Sequence, residues 1–164
     1  MGIAIISLSM LSGQEIEDIV ELDRVNMAAM MKDCGIDFSS TFRKAEVTKE
    51  IEAGTTYVLH KEDGRVVAYL AFSVYNDIMQ VKSLQIAVSA GKPALRMLLR
   101  KTIAVVSGLH YHELHTKIFI HNEPALRLYQ KLGFVIKEQK NGSYYLFIDR
   151  DTLRKRISLV LEME

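Results

Sequence analysis

One segment of the chain combines three polar side chains that can form hydrogen bonds to a reacting group, and two of them can also transfer protons. The sequence HNEPALRLYQKLGF, residues 121–134, contains His121, Asn122 and Tyr129. A tyrosine hydroxyl within hydrogen-bonding reach of a leaving group can protonate that group. A tyrosine on an apolar helical face can equally be a packing residue whose hydroxyl is satisfied. The sequence leaves both roles open for Tyr129.

Histidines form a second group of candidates. His115 and His121 share one face of a predicted strand by alternation, and either can accept a proton near neutral pH. Together with His110 and His112, they span a loop and a strand without a clear ligand period. We therefore predict no metal site from these spacings.

The helix that must position Tyr129 is well specified. Asn122 can cap it, Pro124 suits its first turn, and Gly133 suits the left-handed position after its last turn. Its apolar face consists of Ala125, Leu128, Tyr129 and Leu132. The sequence therefore predicts a short amphipathic helix between residues 122 and 133.

The rest of the chain alternates between strand and helix patterns. Its predicted elements are a strand at Ile3–Leu8, a helix from the Ser12/Glu15 capping box to before Gly35, a helix at Thr48–Ala53, strands at Thr56–His60, Val66–Val74 and Met79–Val88, a helix near Pro93, a strand at Ile118–Ile120, and a final hairpin around Asn141-Gly142. These patterns predict a single α+β (mixed α/β) domain. We expect a central mixed, mostly antiparallel sheet of about six to seven strands, flanked by about four helices.

The composition of the chain limits the cellular compartment and the classes of partner that we expect. The 21 basic and 20 acidic residues nearly cancel, so we expect neither nucleic acid nor a membrane surface as a partner. Cys34 is the only cysteine, which suits a reducing compartment. The N-terminal MGIAIISLSML lacks a basic leader and is too short to span a bilayer, so we expect a cytoplasmic location.

The element order, together with a motif near its end, resembles the GCN5-related N-acetyltransferase (GNAT) superfamily. The motif is Asn122-x-x-Ala125-x-x-Leu128-Tyr129-x-Lys131-Leu132-Gly133-Phe134, and the resemblance runs from Ile3 to about Ile148. It implies a GNAT-like acyltransferase domain over residues 1–150. Residues 151–164 are then a C-terminal extension that packs on this domain or on a second subunit, which makes a homodimer one expectation.

The resemblance implies acetyl-coenzyme A held between two parallel strands that splay apart, Met79–Val88 and Leu114–Ile120. The pantetheine arm is expected on the backbone of Ile86, Ala87 and Val88. Tyr129 has the position of the family's acid, which protonates the departing thiolate. Asn122 has the position of a pantetheine contact, although the same side chain can instead cap the helix.

The family's pyrophosphate loop is altered in this chain. Its form is Gln/Arg-x-x-Gly-x-Gly/Ala, whereas residues 88–96 read VSAGKPALR. Pro93 has no amide to donate, but Gly91, Lys92 and Ala94 can offer amides to an anion at the helix end, and Lys92 adds a charge. The alternative is that Ser89–Pro93 is only a tight turn between a strand and a helix.

The resemblance predicts an N-acetyltransferase that moves an acetyl group from acetyl-coenzyme A to a primary amine. The acceptor is expected to be a small molecule or a peptide. Because the pyrophosphate loop is altered, the alternative is a non-catalytic module of the same fold that senses acyl-coenzyme A or binds a protein.

Overall fold

The computed structural model describes residues 3–6 and 11–162 of the chain. In chain order the elements are β1 (Ile3–Ile6), α1 (Gly13–Asp33), α2 (Ser40–Glu52), β2 (Thr56–Glu62), β3 (Arg65–Tyr75), β4 (Ile78–Ile86), α3 (Gly91–Val106), β5 (Glu113–Phe119), α4 (Glu123–Lys131), β6 (Val135–Lys140), β7 (Ser143–Asp149) and α5 (Arg150–Glu162). The strand order is β1-β2-β3-β4-β5-β7-β6. Strands β4 and β5 are parallel, whereas β1/β2, β2/β3, β5/β7 and β6/β7 are antiparallel. This confirms the predicted α+β class and the mixed sheet.

The chain divides into two compact units. The first extends to Ser73 and includes Ser83–Gly108, and the second contains Val74–Lys82 and the chain from Leu109 onward. Strands β3 and β4 each contribute residues to both units. The expected boundary between residues 1–150 and 151–164 stays a prediction.

The first unit begins with β1, and the predicted continuation of this strand to Leu8 lies outside the described residues. Helix α1 starts with the predicted capping box: Glu15 N donates to Ser12 Oγ at 3.1 Å, and Ser12 N donates to Glu15 Oε1 at 2.9 Å. Helix α2 is longer than the predicted Thr48–Ala53, because it already begins at Ser40. Its cap is Ser39, whose side chain accepts a hydrogen bond from Phe42 N at 3.1 Å. Val47 is the only buried residue of α2, so the sequence of this helix shows little helical periodicity of apolar residues.

A polar network lies in the first unit among α1, α2, β2 and β3. Arg43 Nε donates to Asp23 Oδ2 at 2.5 Å, and Arg43 Nη1 donates to Glu50 Oε1 at 3.2 Å. The hydroxyl of Tyr69 donates to Asp23, and the hydroxyl of Tyr57 donates to Glu50. Burial raises the pKa of Asp23, while the charge of Arg43 opposes that shift. The network satisfies polar groups that would otherwise be buried at a cost, and it ties both helices to the strands.

Three tight turns of the chain have a left-handed backbone, among them the predicted turn at Asn141-Gly142. Asp63 and Gly64 have φ of 51° and 78°, Asn141 and Gly142 have φ of 52° and 76°, and Asn76-Asp77 is also left-handed. Two consecutive positive φ values match the twist of antiparallel strands, which explains why Asp-Gly and Asn-Gly occur here. The predicted β6–β7 hairpin is therefore confirmed, and β2 and β3 form a second hairpin with the same kind of turn.

Strand β5 of the second unit starts at Glu113, earlier than the apolar run Ile118–Ile120 indicated. Its residues Leu114, Thr116 and Ile118 are buried, and the intervening ones are more exposed. The strand pairs with β7 along its whole length, from Glu113↔Asp149 to Phe119↔Ser143. The polar positions of β5 hid this alternation in the sequence.

The C-terminal segment forms α5 and packs within the second unit. Leu153 and Ile157 are buried on this helix. Gly133, at the end of α4, lies so close that a Cβ there would be 3.1 Å from Ile148 Cδ1 and 3.2 Å from Arg156 Cγ. Helix α5 therefore contacts the end of α4, and the last two residues of the chain lie outside the described part.

Candidate active site

Helix α4 has the predicted form. The side chain of Asn122 accepts a hydrogen bond from Ala125 N at 3.2 Å, Pro124 lies in the first turn, and Gly133 has φ of 98°. Asn122 is thus a helix cap in this structure. Its Oδ1 atom makes the cap, so its amide NH₂ group is the part of the side chain suited to a pantetheine carbonyl. That second contact stays a prediction.

Tyr129 lies on the buried face of α4, with 6% of its surface exposed. Its ring packs edge-on against Phe134, with ring centroids 5.0 Å apart. Burial raises the pKa of the hydroxyl to about 12, and a hydrogen bond with the side chain of Thr116 opposes the shift. The phenol is therefore protonated at neutral pH, and its surroundings combine packing with one polar contact.

Thr116 links this tyrosine to the parallel strand pair. Its Oγ1 donates to the carbonyl oxygen of Val81 at 3.3 Å. The β4–β5 register runs from Ile78↔Glu113 to Val81↔Thr116, whereas β5 itself continues to Phe119. The polar contact of Tyr129 is thus made at the last paired position of the two parallel strands. The sequence analysis missed Thr116, because its burial and its contacts depend on how β5 pairs with β4.

The end of β4 carries the three predicted pantetheine residues. The strand ends at Ile86, two residues before the predicted end at Val88, because Ala87 begins the turn toward α3. Ala87 N still donates to Val67 O at 2.8 Å, and Val88 is 88% exposed. Two of these residues therefore lie just beyond the strand, and their role in binding stays a prediction.

Asn26 on α1 is a second residue that the sequence analysis missed. Its Nδ2 atom donates to the carbonyl oxygen of Ile86 and to Gln85 Oε1, both at 3.0 Å. The contact occupies a backbone oxygen that the resemblance assigned to pantetheine. No local spacing could have shown this, because the two residues are 60 positions apart in the chain.

The predicted pyrophosphate loop is the first turn of α3. This helix starts at Gly91, which has φ of 58°, and its cap residue Ala90 makes no side-chain hydrogen bond. Ala90 N and Gly91 N donate to Ala87 O at 3.0 and 3.2 Å. Lys92 is exposed and Ala94 is fully buried. The amide of Gly91 is therefore used within the turn, and the contribution of Gly91, Lys92 and Ala94 to phosphate binding stays a prediction.

The two candidate bases are in different settings. His115 Nε2 lies 2.7 Å from Glu113 Oε2 and its ring is tilted against Phe147. Because consecutive strand residues point to opposite faces, His115 faces away from the side of β5 that carries Thr116. His121 is exposed in the turn before α4. Neither histidine shares the face of β5 used by the Tyr129–Thr116 pair.

Comparison with known proteins identifies the fold and the family. Residues 25–134 match the family described as "Acetyltransferase (GNAT) family". The structure of an N-acetyltransferase, PaiA, from Thermoplasma acidophilum in complex with coenzyme A is similar, with a TM-score of 0.69 and 15% identity over 91% of this chain and 99% of that one. The structure of Campylobacter jejuni N-acetyltransferase PseH in complex with acetyl coenzyme A has a TM-score of 0.61 and 18% identity, with 91% and 99% coverage. At these identities the likeness shows the fold.

A curated relative is similar over part of its length. The Bacillus subtilis (strain 168) protein named "Putative phosphinothricin acetyltransferase YwnH" is 30% identical over 89 residues, which are 51% of this chain and 55% of the relative. The aligned part thus spans about half of that protein. The architecture, in which α3 connects the parallel strands β4 and β5 and α4 follows β5, is that of an acetyltransferase-type fold. The chain belongs to the acetyltransferase (GNAT) family, as the motif at Asn122–Phe134 predicted.

Proposed function

We propose that this protein transfers an acetyl group from acetyl-coenzyme A to the amine of a small molecule or peptide. The observation that carries the proposal is the buried, protonated hydroxyl of Tyr129, which interacts with Thr116 at the last paired position of β4 and β5. Membership in the acetyltransferase family supports the reaction class. The coenzyme A and acetyl coenzyme A complexes of PaiA and PseH support the co-substrate.

The reaction forms a C–N bond and breaks the C–S bond of the thioester. The electron pair of the broken bond leaves on sulfur as a thiolate, and the attacking amine must lose a proton. The hydroxyl of Tyr129, whose pKa is about 12, donates a hydrogen bond to the thiolate. A thiol has an ordinary pKa of about 8.5, so full transfer from the phenol alone would be uphill by roughly 5 kcal/mol. Tyr129 therefore stabilises the thiolate by hydrogen bonding, and the proton released by the amine completes the balance.

The co-substrate is proposed to bind through backbone groups of Ile86, Ala87 and Val88 and through the first turn of α3. The fit is supported by the N-terminus of α3, whose cap residue has no side-chain hydrogen bond, and by the exposed ammonium group of Lys92. The carbonyl oxygen of Ile86 accepts a hydrogen bond from Asn26 and has a second lone pair that an amide of pantetheine can use.

The acceptor is proposed to be a primary amine. The name of the Bacillus subtilis relative makes phosphinothricin a reasonable member of an amine panel. We also propose a cytoplasmic location and a homodimer that uses the C-terminal extension. None of the helices in the described ranges is long and apolar enough to cross a membrane.

Isothermal titration of the purified chain with acetyl-coenzyme A tests the binding half of the proposal. We expect saturable binding that Lys92→Ala weakens about tenfold, because one ion pair with phosphate is lost. Lys131→Ala is the matched control, since Lys131 is another exposed lysine but lies at the end of α4. Absence of binding at millimolar ligand would contradict the proposal and favour a domain that has kept only the fold.

A further inference from the structure

Three metal-ligating side chains come together in the second unit, away from Tyr129 and Thr116 along the strand pair. They are Asp77, His110 and His112, and each offers one ligand atom within 4.8 Å of the other two. His110 Nδ1 lies 2.9 Å from Asp77 Oδ1, and His112 Nε2 lies 3.9 Å from Asp77 Oδ2. All three are exposed, so an ion from solvent can reach them.

The backbone holds these residues in place. His112 N donates to the carbonyl oxygen of Asp77 at 2.7 Å. The next residues, Ile78 and Glu113, are the first pair of the parallel β4–β5 register. The cluster therefore lies at the fixed start of a strand pair and not at the tip of a long loop. The sequence spacing concealed it, because Asp77 comes from a different segment from the histidines.

The chemistry of the set fits a divalent transition metal. Two imidazoles and one carboxylate supply three protein ligands, and water can complete a tetrahedral zinc site. Zinc–ligand bonds of about 2.0 to 2.2 Å require the ligand atoms to approach to roughly 3.5 Å, a closure that exposed side chains reach by small rotations. The two rings are already close, with centroids 5.1 Å apart and planes at 76°.

The neighbouring charges do not oppose a cation. His110 and His112 also line an open cavity of about 370 Å³ together with Tyr111, Asp149, Arg150, Asp151 and Arg154. The two aspartates balance the two arginines, and Asp77 adds a further negative charge. The cavity also gives solvent, or a small anionic ligand, access to an open coordination position.

We propose that Asp77, His110 and His112 bind one zinc-class divalent ion, which joins the residues immediately before β4 and β5. This site is independent of the proposed acetyl transfer, because none of its ligands belongs to the acid or co-substrate groups. Its consequence is a cross-link between two chain segments 33 residues apart. Such a cross-link stabilises the folded chain by the binding free energy of the ion.

Zinc titration of the full chain, free of any histidine tag and treated with chelator, tests the site. At pH 7.5 we expect one saturable site, seen by calorimetry, and visible absorption bands of tetrahedral geometry when Co²⁺ replaces Zn²⁺. His110→Ala, His112→Ala and Asp77→Asn should each weaken binding at least about tenfold. His121→Ala is the matched control, because His121 is exposed but lies outside the cluster.

Thermal unfolding of each metal-free variant checks that the substitutions leave the fold intact, as their exposure leads us to expect. Zinc should then raise the Tm of the wild type and of His121→Ala, but not that of the three ligand variants. The proposal is overturned if zinc does not bind below millimolar concentration. It is also overturned if any of the three ligand variants binds zinc as tightly as the wild type.

Discussion

At the residue scale, Tyr129 combines the packing of a core side chain with a polar contact of its hydroxyl. Its ring packs on Phe134, yet its hydroxyl also interacts with the polar side chain of Thr116 at the last β4–β5 pair. The motif predicted the helical position of this tyrosine. It could not predict Thr116 as its partner, because that contact depends on how β5 pairs with β4.

The raised pKa of Tyr129 predicts a stability change at high pH. The folded-state pKa of about 12 exceeds the ordinary value of 10.0, so the unfolded chain loses this proton first as pH rises. The stabilisation is fully present below pH 10 and is lost between pH 10 and pH 12. We expect the free energy of unfolding of the wild type, relative to Tyr129→Phe, to fall by roughly 2 kcal/mol over that interval.

Denaturant unfolding of both proteins at several pH values measures this difference, and other tyrosines cancel in the comparison because both proteins contain them. A difference that stays constant from pH 9 to pH 12 would show that the hydroxyl is not held in its neutral form by burial.

Two substitutions of Asn122 are predicted to separate its role as a helix cap from its proposed role in co-substrate binding. Asn122→Asp keeps an oxygen for Ala125 N but removes the NH₂ donor, whereas Asn122→Ala removes both groups. We expect Asn122→Ala to lower the free energy of unfolding by about 1 kcal/mol and Asn122→Asp to change it little. Both should raise the KM for acetyl-coenzyme A.

Steady-state kinetics and chemical denaturation of the two variants check this prediction. If Asn122→Asp leaves the KM at the wild-type value, the side chain is a cap alone.

At the element scale, the chain shows which helices can be predicted from sequence. Helix α4 has a cap, a proline, an apolar face and a terminal glycine, and each signal agrees with the others. Helix α2 has a single buried residue, Val47, so periodicity indicated only its last part. The position of the turn before α3 was predicted correctly. The hydrogen bond within it, from Gly91 N to Ala87 O, occurs where Gly91 has a positive φ, and the spacing of residue types in the sequence does not reveal that.

Gly133 is predicted to be essential for the packing of α4 against α5. Its φ of 98° is left-handed, and an added Cβ would meet Ile148 Cδ1 at 3.1 Å. Gly133→Ala should therefore combine backbone strain with a steric clash, and we expect a loss of about 2 to 3 kcal/mol. Gly142→Ala is the control, because its φ of 76° gives similar strain but nothing lies within 4 Å of the new Cβ.

Urea unfolding of the two alanine variants tests this difference. Equal losses for Gly133→Ala and Gly142→Ala would mean that the close approach of Ile148 and Arg156 carries no cost.

At the scale of the whole molecule, family and fold could be predicted from the sequence because the motif is distinctive and covers a helix with both its ends. The near-balanced charge offers no guide to the acceptor. The contacts of Asn26 with Ile86 and of Thr116 with Val81 join residues that are 60 and 35 positions apart. Long-range contacts of this kind depend on the tertiary fold, which explains why local patterns did not reveal them.

The most direct test of the central claim is thiol release from acetyl-coenzyme A in the presence of a primary-amine panel. The wild type should turn over at least one amine, and Tyr129→Phe should lower kcat about a hundredfold while the KM for acetyl-coenzyme A changes little. Tyr144→Phe, which removes a half-buried hydroxyl from β7, should keep the wild-type rate. A correctly folded Tyr129→Phe protein with the wild-type kcat would contradict the assignment of this tyrosine as the hydrogen-bond donor to the departing thiolate.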